Sequence, residues 1–311
     1  MKVLIIYGPT VSGKTDLALQ LARKFQGELI SADSRQVYKR LDIGTGKVGF
    51  DSKVEKHRNY WTVDGVKIYG FDLANPGRQF TAADFIKFAS TSLIRIDAVN
   101  KLPIIVGGTG FYIKALIDGI DTLGIPQDEK LRKKLEKLST LDLYQKLLKL
   151  EQSRAKKMNR SDSQNPRRLI RAIEVASSKL TIPPSHYPTI PPSNRLLISL
   201  TAPNDFLYKR ADRWLDIRLK KGMIEEVKNL RSRVSDSWLI NLGLEYRWLT
   251  KYLKGELTKS NAIDRLKGDI HSLIRRQKTY FNQLEKINLF DISNEGWRKQ
   301  LEKKVHTWYN Q

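Results

Sequence analysis

The sequence predicts an α/β fold: a parallel sheet with helices on both faces, into which a basic helical domain is inserted. Three observations carry this expectation. Near-continuous Val/Ile/Leu runs alternate with helical patterns in the first third of the chain, as strands buried on both faces of a parallel sheet do. A glycine-rich stretch at 8–15, GPTVSGKT, joins the first such run to the first helical pattern. From about 126 to 178, Leu131, Leu135, Leu138, Leu141, Tyr144, Leu147 and Leu148 recur at helical spacing among many Lys and Arg.

The first strand is expected at the apolar run from Val3 to Tyr7 and the first helix at 16–22. The segment between them fills every fixed position of the phosphate-binding pattern G-x-x-x-x-G-K-[ST], in the strand, loop, helix order that such a loop requires. A diphosphate or triphosphate concentrates negative charge, which converging backbone N–H groups, a helix N-terminus and one ammonium group can meet. Gly8 and Gly13 permit the tight turn. Lys14 is placed to reach the terminal phosphates, and the Thr15 hydroxyl to ligate Mg²⁺.

A second strand is expected at 28–32 and a third at 102–106, running into Gly107, Gly108, Thr109 and Gly110 at the start of another helix. Ligands of such sheets lie beyond the carboxyl ends of the strands, so the phosphate loop, Asp33 with Ser34, and 107–110 should converge on one crevice. An aspartate there binds a cation or acts as a general base; equally, Asp33 or Ser34 caps a helix, and the residues alone leave both readings open. Asp42, Ile43, Gly44, Thr45, Gly46 and Lys47 taken in isolation read as a solvated turn.

Pro183, Pro184, Pro188, Pro191 and Pro192 mark a hinge-like loop, after which 196–200 returns as a strand. Helices are expected at 205–222, 224–233, 244–253, 263–282 and 297–309, the last covering the core with solvated lysines. The expected organisation is a first core segment at 1–125, an inserted helical domain at 126–190, and a second core segment with C-terminal helices at 191–311.

Lys and Arg number 56 against 33 Asp and Glu, a formal charge of +23. An excess of that size concerns partners: it suits RNA, DNA or an anionic membrane surface, and the phosphate loop uses only a small part of it. There is no cysteine, which excludes disulfides and Cys-ligated zinc. His57, His186, His271 and His306 lack metal-ligand spacing. With no signal pattern and no run of membrane-spanning length, a cytoplasmic protein acting as a monomer is expected.

In GPTVSGKT (8–15), SADSRQVY (31–38), DIGTGK (42–47), VGGTGFYIKAL (106–116), NPRRLIRAIEV (165–175), GMIEEVKNL (222–230) and RRQKTYF (275–281), the chain resembles the tRNA dimethylallyltransferases, also called tRNA isopentenyltransferases. The motifs fall in the family's order over nearly the whole length. A phosphate loop is shared with thousands of kinases and ATPases, whereas ADSRQVY followed by DIGTGK and GGTGFY is specific.

The resemblance implies a P-loop NTPase-like core and transfer of a dimethylallyl group from its diphosphate to the exocyclic amine of the adenosine 3′-adjacent to a tRNA anticodon. It implies that Asp33 is the general base, and that Gly8, Thr10, Ser12, Gly13, Lys14, Thr15, Gly108, Thr109 and Gly110 hold the diphosphate, with Mg²⁺ on Thr15. Ser34, Arg35, Gln36, Lys47, Arg167, Arg168, Arg275, Arg276 and Gln277 are the implied tRNA contacts, the insertion gripping the anticodon stem-loop. Where the family commonly carries a diphosphate-contacting arginine, this chain has Trp214. Arg218 and Arg210, four residues to either side on the same helical face, can supply the guanidinium, and Arg218 is the expected catalytic substitute.

The rival readings are a P-loop small-molecule kinase, a free-adenylate isopentenyltransferase, and an NTP-dependent RNA-binding module without group transfer. The first lacks an acidic residue after the 102–106 strand, where Gly107 and Gly108 stand. The basic insertion argues against the second. Consumption of dimethylallyl diphosphate rather than ATP or GTP separates the third.

Overall fold

The computed structural model describes residues 1–119, 122, 125–178, 189–284 and 288–311. In chain order the elements are β1 (Val3–Tyr7), α1 (Lys14–Lys24), β2 (Gly27–Ser31), β3 (Val54–Lys56), β4 (Trp61–Val63), β5 (Val66–Tyr69), α2 (Ala82–Ala98), β6 (Leu102–Gly107), α3 (Gly110–Asp118), α4 (Glu129–Leu135), α5 (Thr140–Leu150), α6 (Gln152–Lys157), α7 (Arg160–Ser163) and α8 (Pro166–Ser177). There follow β7 (Arg195–Thr201), α9 (Asn204–Lys220), α10 (Met223–Arg231), α11 (Asp236–Leu242), α12 (Leu244–Leu253), α13 (Lys259–Phe281), β8 (Asn288–Asp291) and α14 (Trp297–Asn310). Two compact units result, one of Met1–Asp118 with Thr189–Gln311, the other of Gly119–Pro188.

The first unit is built on a sheet of order β3-β4-β5-β2-β6-β1-β7-β8, parallel from β5 to β8 and antiparallel through β3, β4 and β5. Every residue of β1 and β6 is buried, which explains their unbroken apolar runs. Because β6 enters between β1 and β2 while β7 joins the other side of β1, the strand order reverses there, and the loops after β1, β2 and β6 open a crevice. Leu17 and Leu21 of α1 and Leu301 and Val305 of α14 bury into one core cluster with Leu4, Ile6, Leu29 and Ile104. A second cluster unites α9 to α13 with Val37, Tyr38 and Leu41. Thr81 and Asp84 form a reciprocal capping box at the start of α2.

The meander β3 to β5, together with α2, α11 and β8, escaped the reading of the sequence. Its strands have only three or four residues, too few to show a period. One local signal was present: Asp64 and Gly65, both with positive φ (48° and 82°), form the two-residue turn between β4 and β5.

In the second unit, the helical pattern at 126–178 resolves into α4 to α8 around Leu135, Leu143, Leu147, Ala155, Leu169, Ile170 and Ile173. The Asn165 side chain caps α8, accepting from the N–H groups of Arg167 (3.0 Å) and Arg168 (3.3 Å), and Pro166 occupies the first turn. Glu174 is buried and receives two hydrogen bonds from Arg132, at 2.6 and 2.8 Å, and one from Arg171 at 3.3 Å. Burial alone would raise the Glu174 pKa, but the Arg132 bonds outweigh it and hold the carboxyl below its ordinary value. Of the expected hinge, Pro183, Pro184 and Pro188 lie outside the described residues, as does His186, while Pro192–Asn194 forms a 3-10 turn entering β7.

Candidate functional site

The register of the sheet builds the site. Tyr7 pairs with Gly107 and Ser31 with Val106, so the loops leaving β1, β2 and β6 emerge side by side. They border a cleft of about 450 Å³ whose lining includes Thr10, Gly13, Lys14, Thr15, Asp33, Gly108, Arg210 and Arg213. Leu19, Val63, Ile68, Phe71 and Val106 are among its apolar lining residues.

One wall is largely main chain. A side chain at Gly8 would meet the Leu200 carbonyl at 2.6 Å, and Gly13, in the left-handed region at φ 79°, caps α1. Gly107 lies against the Ala32 carbonyl, leaving no room for a Cβ. The amide of Gln277 ties two loops together: its Oε1 accepts from Thr10 N–H at 2.9 Å and its Nε2 donates to the Gly108 carbonyl at 2.9 Å. The Arg210 Nε donates to the Val11 carbonyl at 2.9 Å, setting a guanidinium beside the loop. Lys14 Nζ contacts the Pro9 carbonyl at 3.3 Å. Burial lowers the Lys14 pKa, partly offset by Asp33 and Asp16. Ser12 Oγ is buried without a hydrogen-bond partner, an orphaned donor within the loop.

The facing wall is held by charged and amide side chains. Asp33 Oδ1 accepts from the N–H groups of Arg35 (2.9 Å) and Gln36 (3.4 Å), a turn of the Asx type; Asp33 caps no helix. Arg35 pairs with the buried Glu245 at 2.6 Å. Burial pulls the Arg35 pKa down, but Glu245 and Asp33 reverse that, and the net direction is upward. Gln36 Nε2 donates to the carbonyls of Thr45 (3.3 Å) and Gly46 (3.1 Å), joining the Asp33 turn to the Asp42–Lys47 loop.

The geometry shows what the expected site residues hold within the fold. Lys47 is fully buried, its ammonium bonded to the Tyr38 carbonyl (2.7 Å), Asp42 (2.7 Å) and Asp72 (2.5 Å), so it is a clamp inside the fold. Arg35, Gln36 and Gln277 also line the cleft, with side-chain groups bonded to Glu245, to the 45–46 carbonyls and to the loops of β1 and β6 respectively. Gly110 stands where any side chain would strike the Tyr280 ring, so a glycine is required for the packing of α3 on α13. Thr109 donates to Ser34 Oγ at 3.3 Å and accepts from Ser34 N–H at 2.9 Å, a brace between the strand ends. Arg218 is buried, bonds the Ile43 carbonyl and stacks over Trp214, 4.2 Å from the ring centre. Its hydrogen bond goes to the Asp42–Lys47 loop, whereas Arg210 bonds the phosphate loop; both line the cleft. Burial lowers the Arg218 pKa to about 10.

Ser34, Arg167, Arg168, Arg275 and Arg276 are exposed. Arg168 pairs with Asp162, Arg275 donates to the Tyr208 hydroxyl at 2.7 Å, and Arg276 to Ser272 Oγ at 2.6 Å. Arg213, Glu226 and Glu245 were not singled out from the sequence. Glu226 lies within the GMIEEVKNL stretch, yet no spacing rule tells a helix-surface glutamate from one aimed at a loop 182 residues away.

The family model of the IPP transferases matches residues 36–284. The chain is 36% identical over 294 residues to a tRNA dimethylallyltransferase of Acetivibrio thermocellus, covering 92% of this chain and 90% of that one. It is 34% identical over 285 residues to tRNA dimethylallyltransferase 1 of Geotalea daltonii, covering 91% and 87%. Among solved structures, the full-length tRNA isopentenylpyrophosphate transferase of Bacillus halodurans superimposes with a TM-score of 0.70 at 30% identity, covering 99% of this chain and 96% of that one. A eukaryotic dimethylallyltransferase acting on tRNA shares the fold, at a TM-score of 0.76 and 23% identity over 98% and 77% of the two chains. A phosphate loop, an aspartate-bearing turn and a second glycine loop meeting in one cleft are thus found in a chain that belongs to the IPP transferase family.

Proposed function

We propose that this protein transfers the dimethylallyl group of dimethylallyl diphosphate to the exocyclic amine of the adenosine 3′-adjacent to a tRNA anticodon, releasing diphosphate. The observation that carries the reading is the meeting of Lys14, Arg210 and the loop N–H groups with Asp33 across a single cleft. Displacement from an allylic carbon builds negative charge on the leaving oxygens while the carbon becomes cationic. Fixed donors aimed at those oxygens stabilise this change more than they stabilise the bound substrate. Lys14 and Arg210 are the cations so placed. Asp33 Oδ1 is occupied by backbone donors, which leaves Oδ2 to accept a proton from the amine. The base must leave the anticodon-loop stack to reach the cleft, as in other enzymes that act on an extruded base.

A divalent cation fits these residues. No group of three or more His, Asp or Glu side chains is gathered among the described residues. The Thr15 hydroxyl borders the cleft and hydrogen-bonds no protein group among the described residues, which suits Mg²⁺, an ion that takes most of its oxygens from phosphate and water. When bound, Mg²⁺ would neutralise charge on the leaving diphosphate.

The exposed Ser34, Arg275 and Arg276, and Arg167 and Arg168 of the helical unit, are the proposed tRNA contacts, consistent with the +23 charge. A monomer acting in the cytoplasm is part of the proposal; among the described residues no helix is long and apolar enough to cross a membrane. The direct test is incubation of the purified protein with unmodified tRNA and labelled dimethylallyl diphosphate, followed by nucleoside analysis. Label in a prenylated adenosine is the expected result. Turnover of ATP or GTP with no label in the RNA would refute the reading.

A further inference from the structure

The loop from Asp42 to Lys47 borders the cleft through Thr45, Gly46 and Lys47, yet its conformation is imposed from outside its own sequence. The carboxylate of Glu226, one turn into α10, accepts from three consecutive backbone N–H groups: Asp42 at 2.8 Å, Ile43 at 2.6 Å and Gly44 at 2.9 Å. It also accepts from the Tyr246 hydroxyl at 3.0 Å. Three successive N–H groups converging on one point form a cradle that favours a negative charge at its centre, and here a protein carboxylate fills it. Gly44 is required at this site, since a Cβ there would lie 2.6 Å from the Tyr246 hydroxyl oxygen. Arg218 completes the grip by donating to the Ile43 carbonyl. Beyond the loop, Gln36 binds the Thr45 and Gly46 carbonyls and its own N–H reaches Asp33 Oδ1. A path of hydrogen bonds joined by short stretches of covalent chain therefore runs from Glu226 to the aspartate of the cleft, and none of it passes through the phosphate loop.

We infer that Glu226 is a positioning residue for the transfer: by holding the Asp42–Lys47 loop, and through Gln36 the Asp33 turn, it sets the acceptor side of the cleft while leaving the diphosphate side untouched. The inference rests on the proposed reaction. Glu226→Gln replaces one accepting oxygen by a donor, so at least one oxygen's share of the N–H bonds is lost while the side chain keeps its size. Tyr246→Phe removes a single bond to the carboxylate and is the milder second variant.

The experiment measures kcat and KM for each substrate in wild type, Glu226→Gln and Tyr246→Phe, with amide hydrogen exchange at Asp42, Ile43 and Gly44 as an independent reading of the loop. For Glu226→Gln the expected result is faster exchange at those amides and a kcat lower by about tenfold to a hundredfold, the scale of a small misplacement of reacting groups, with KM for dimethylallyl diphosphate within about twofold of wild type. Tyr246→Phe should fall between wild type and Glu226→Gln in both readings. Faster exchange with a normal kcat per folded molecule would reduce Glu226 to a structural role and overturn the inference. A raised KM for the diphosphate at unchanged kcat would do the same. Absence of transfer by the wild-type protein would instead defeat the reaction on which the inference rests, while the exchange measurement would still show whether Glu226 orders the loop.

Discussion

The two walls of the cleft are made in different ways. The phosphate wall is main chain: glycines that let strands and loops approach, N–H groups at the start of α1, and one amide, Gln277, tying the loops of β1 and β6 together. The facing wall is side chain: Lys47 between Asp42 and Asp72, Arg35 on Glu245, Glu226 on three amides. A main-chain wall suits a ligand whose shape and charge never vary, because backbone donors need no side-chain rotamer to be right. The second wall must admit a base delivered by a large RNA, and buried ion pairs there fix loops that have little apolar surface of their own. The consequence is an asymmetry in how each wall breaks.

The largest effect is expected on the phosphate wall. Lys14→Ala should lower the transfer rate by about a hundredfold to a thousandfold, the size seen when a preorganised charge donor is removed, and leave tRNA affinity nearly intact. Loss of tRNA binding with normal diphosphate binding would break the division between the walls.

On the facing wall, Asp33→Asn keeps the turn, because the amide oxygen still accepts from Arg35 and Gln36, but removes the proton acceptor. A loss of about a hundredfold in rate is expected, measured by single-turnover transfer. Near-normal activity would confine Asp33 to the Asx turn.

The next effect separates the two arginines. Arg210→Ala should raise KM for dimethylallyl diphosphate by about tenfold, as loss of one charge-assisted hydrogen bond does. Arg218→Ala should leave that KM unchanged, since Arg218 touches the Asp42–Lys47 loop. The opposite pattern in steady-state kinetics would return the diphosphate contact to Arg218.

Lys47→Met should act on stability. It leaves two carboxylates without their common partner, at an expected cost of about 2–4 kcal/mol by denaturant unfolding. Its pH dependence has a definite sign. Burial would raise the Asp42 pKa, but Lys47 and then Lys56 outweigh it and hold it below the ordinary 3.8. A carboxyl with a lowered folded-state pKa contributes stability above its unfolded value, and that contribution is lost as pH falls through the folded value. Wild type should therefore lose stability between about pH 4 and pH 2, and the variant should lose less over the same window.

The smallest effect is expected beneath the phosphate wall. The Tyr7 hydroxyl is buried at the end of β1 without a hydrogen-bond partner, and burial pushes its pKa well upward. Tyr7→Phe removes a desolvated polar group and keeps the ring packed 4.9 Å from Phe281, so the melting temperature should be unchanged or higher.

By itself the sequence determined what local pattern can encode. The unbroken apolar strands, the glycine loop in its strand-to-helix setting, the helices of the insertion and the family were all legible, because buried parallel strands and phosphate loops are specified by neighbours within about ten residues. Asp33 could be named as a candidate, though its Asx turn could not be told from a helix cap. Only the tertiary structure decided the rest. Lys47 reads as a surface lysine until Asp72 and Tyr38 close around it; Gln277 reads as part of a basic helix until Thr10 and Gly108 stand on either side. Arg210 and Arg218 share one helical face, and only packing shows that the first meets the Val11 carbonyl and the second the Ile43 carbonyl. The short meander β3 to β5 was hidden for the same reason: its three- and four-residue strands gain their order from pairing with one another and with β2, an energy no window along the chain contains.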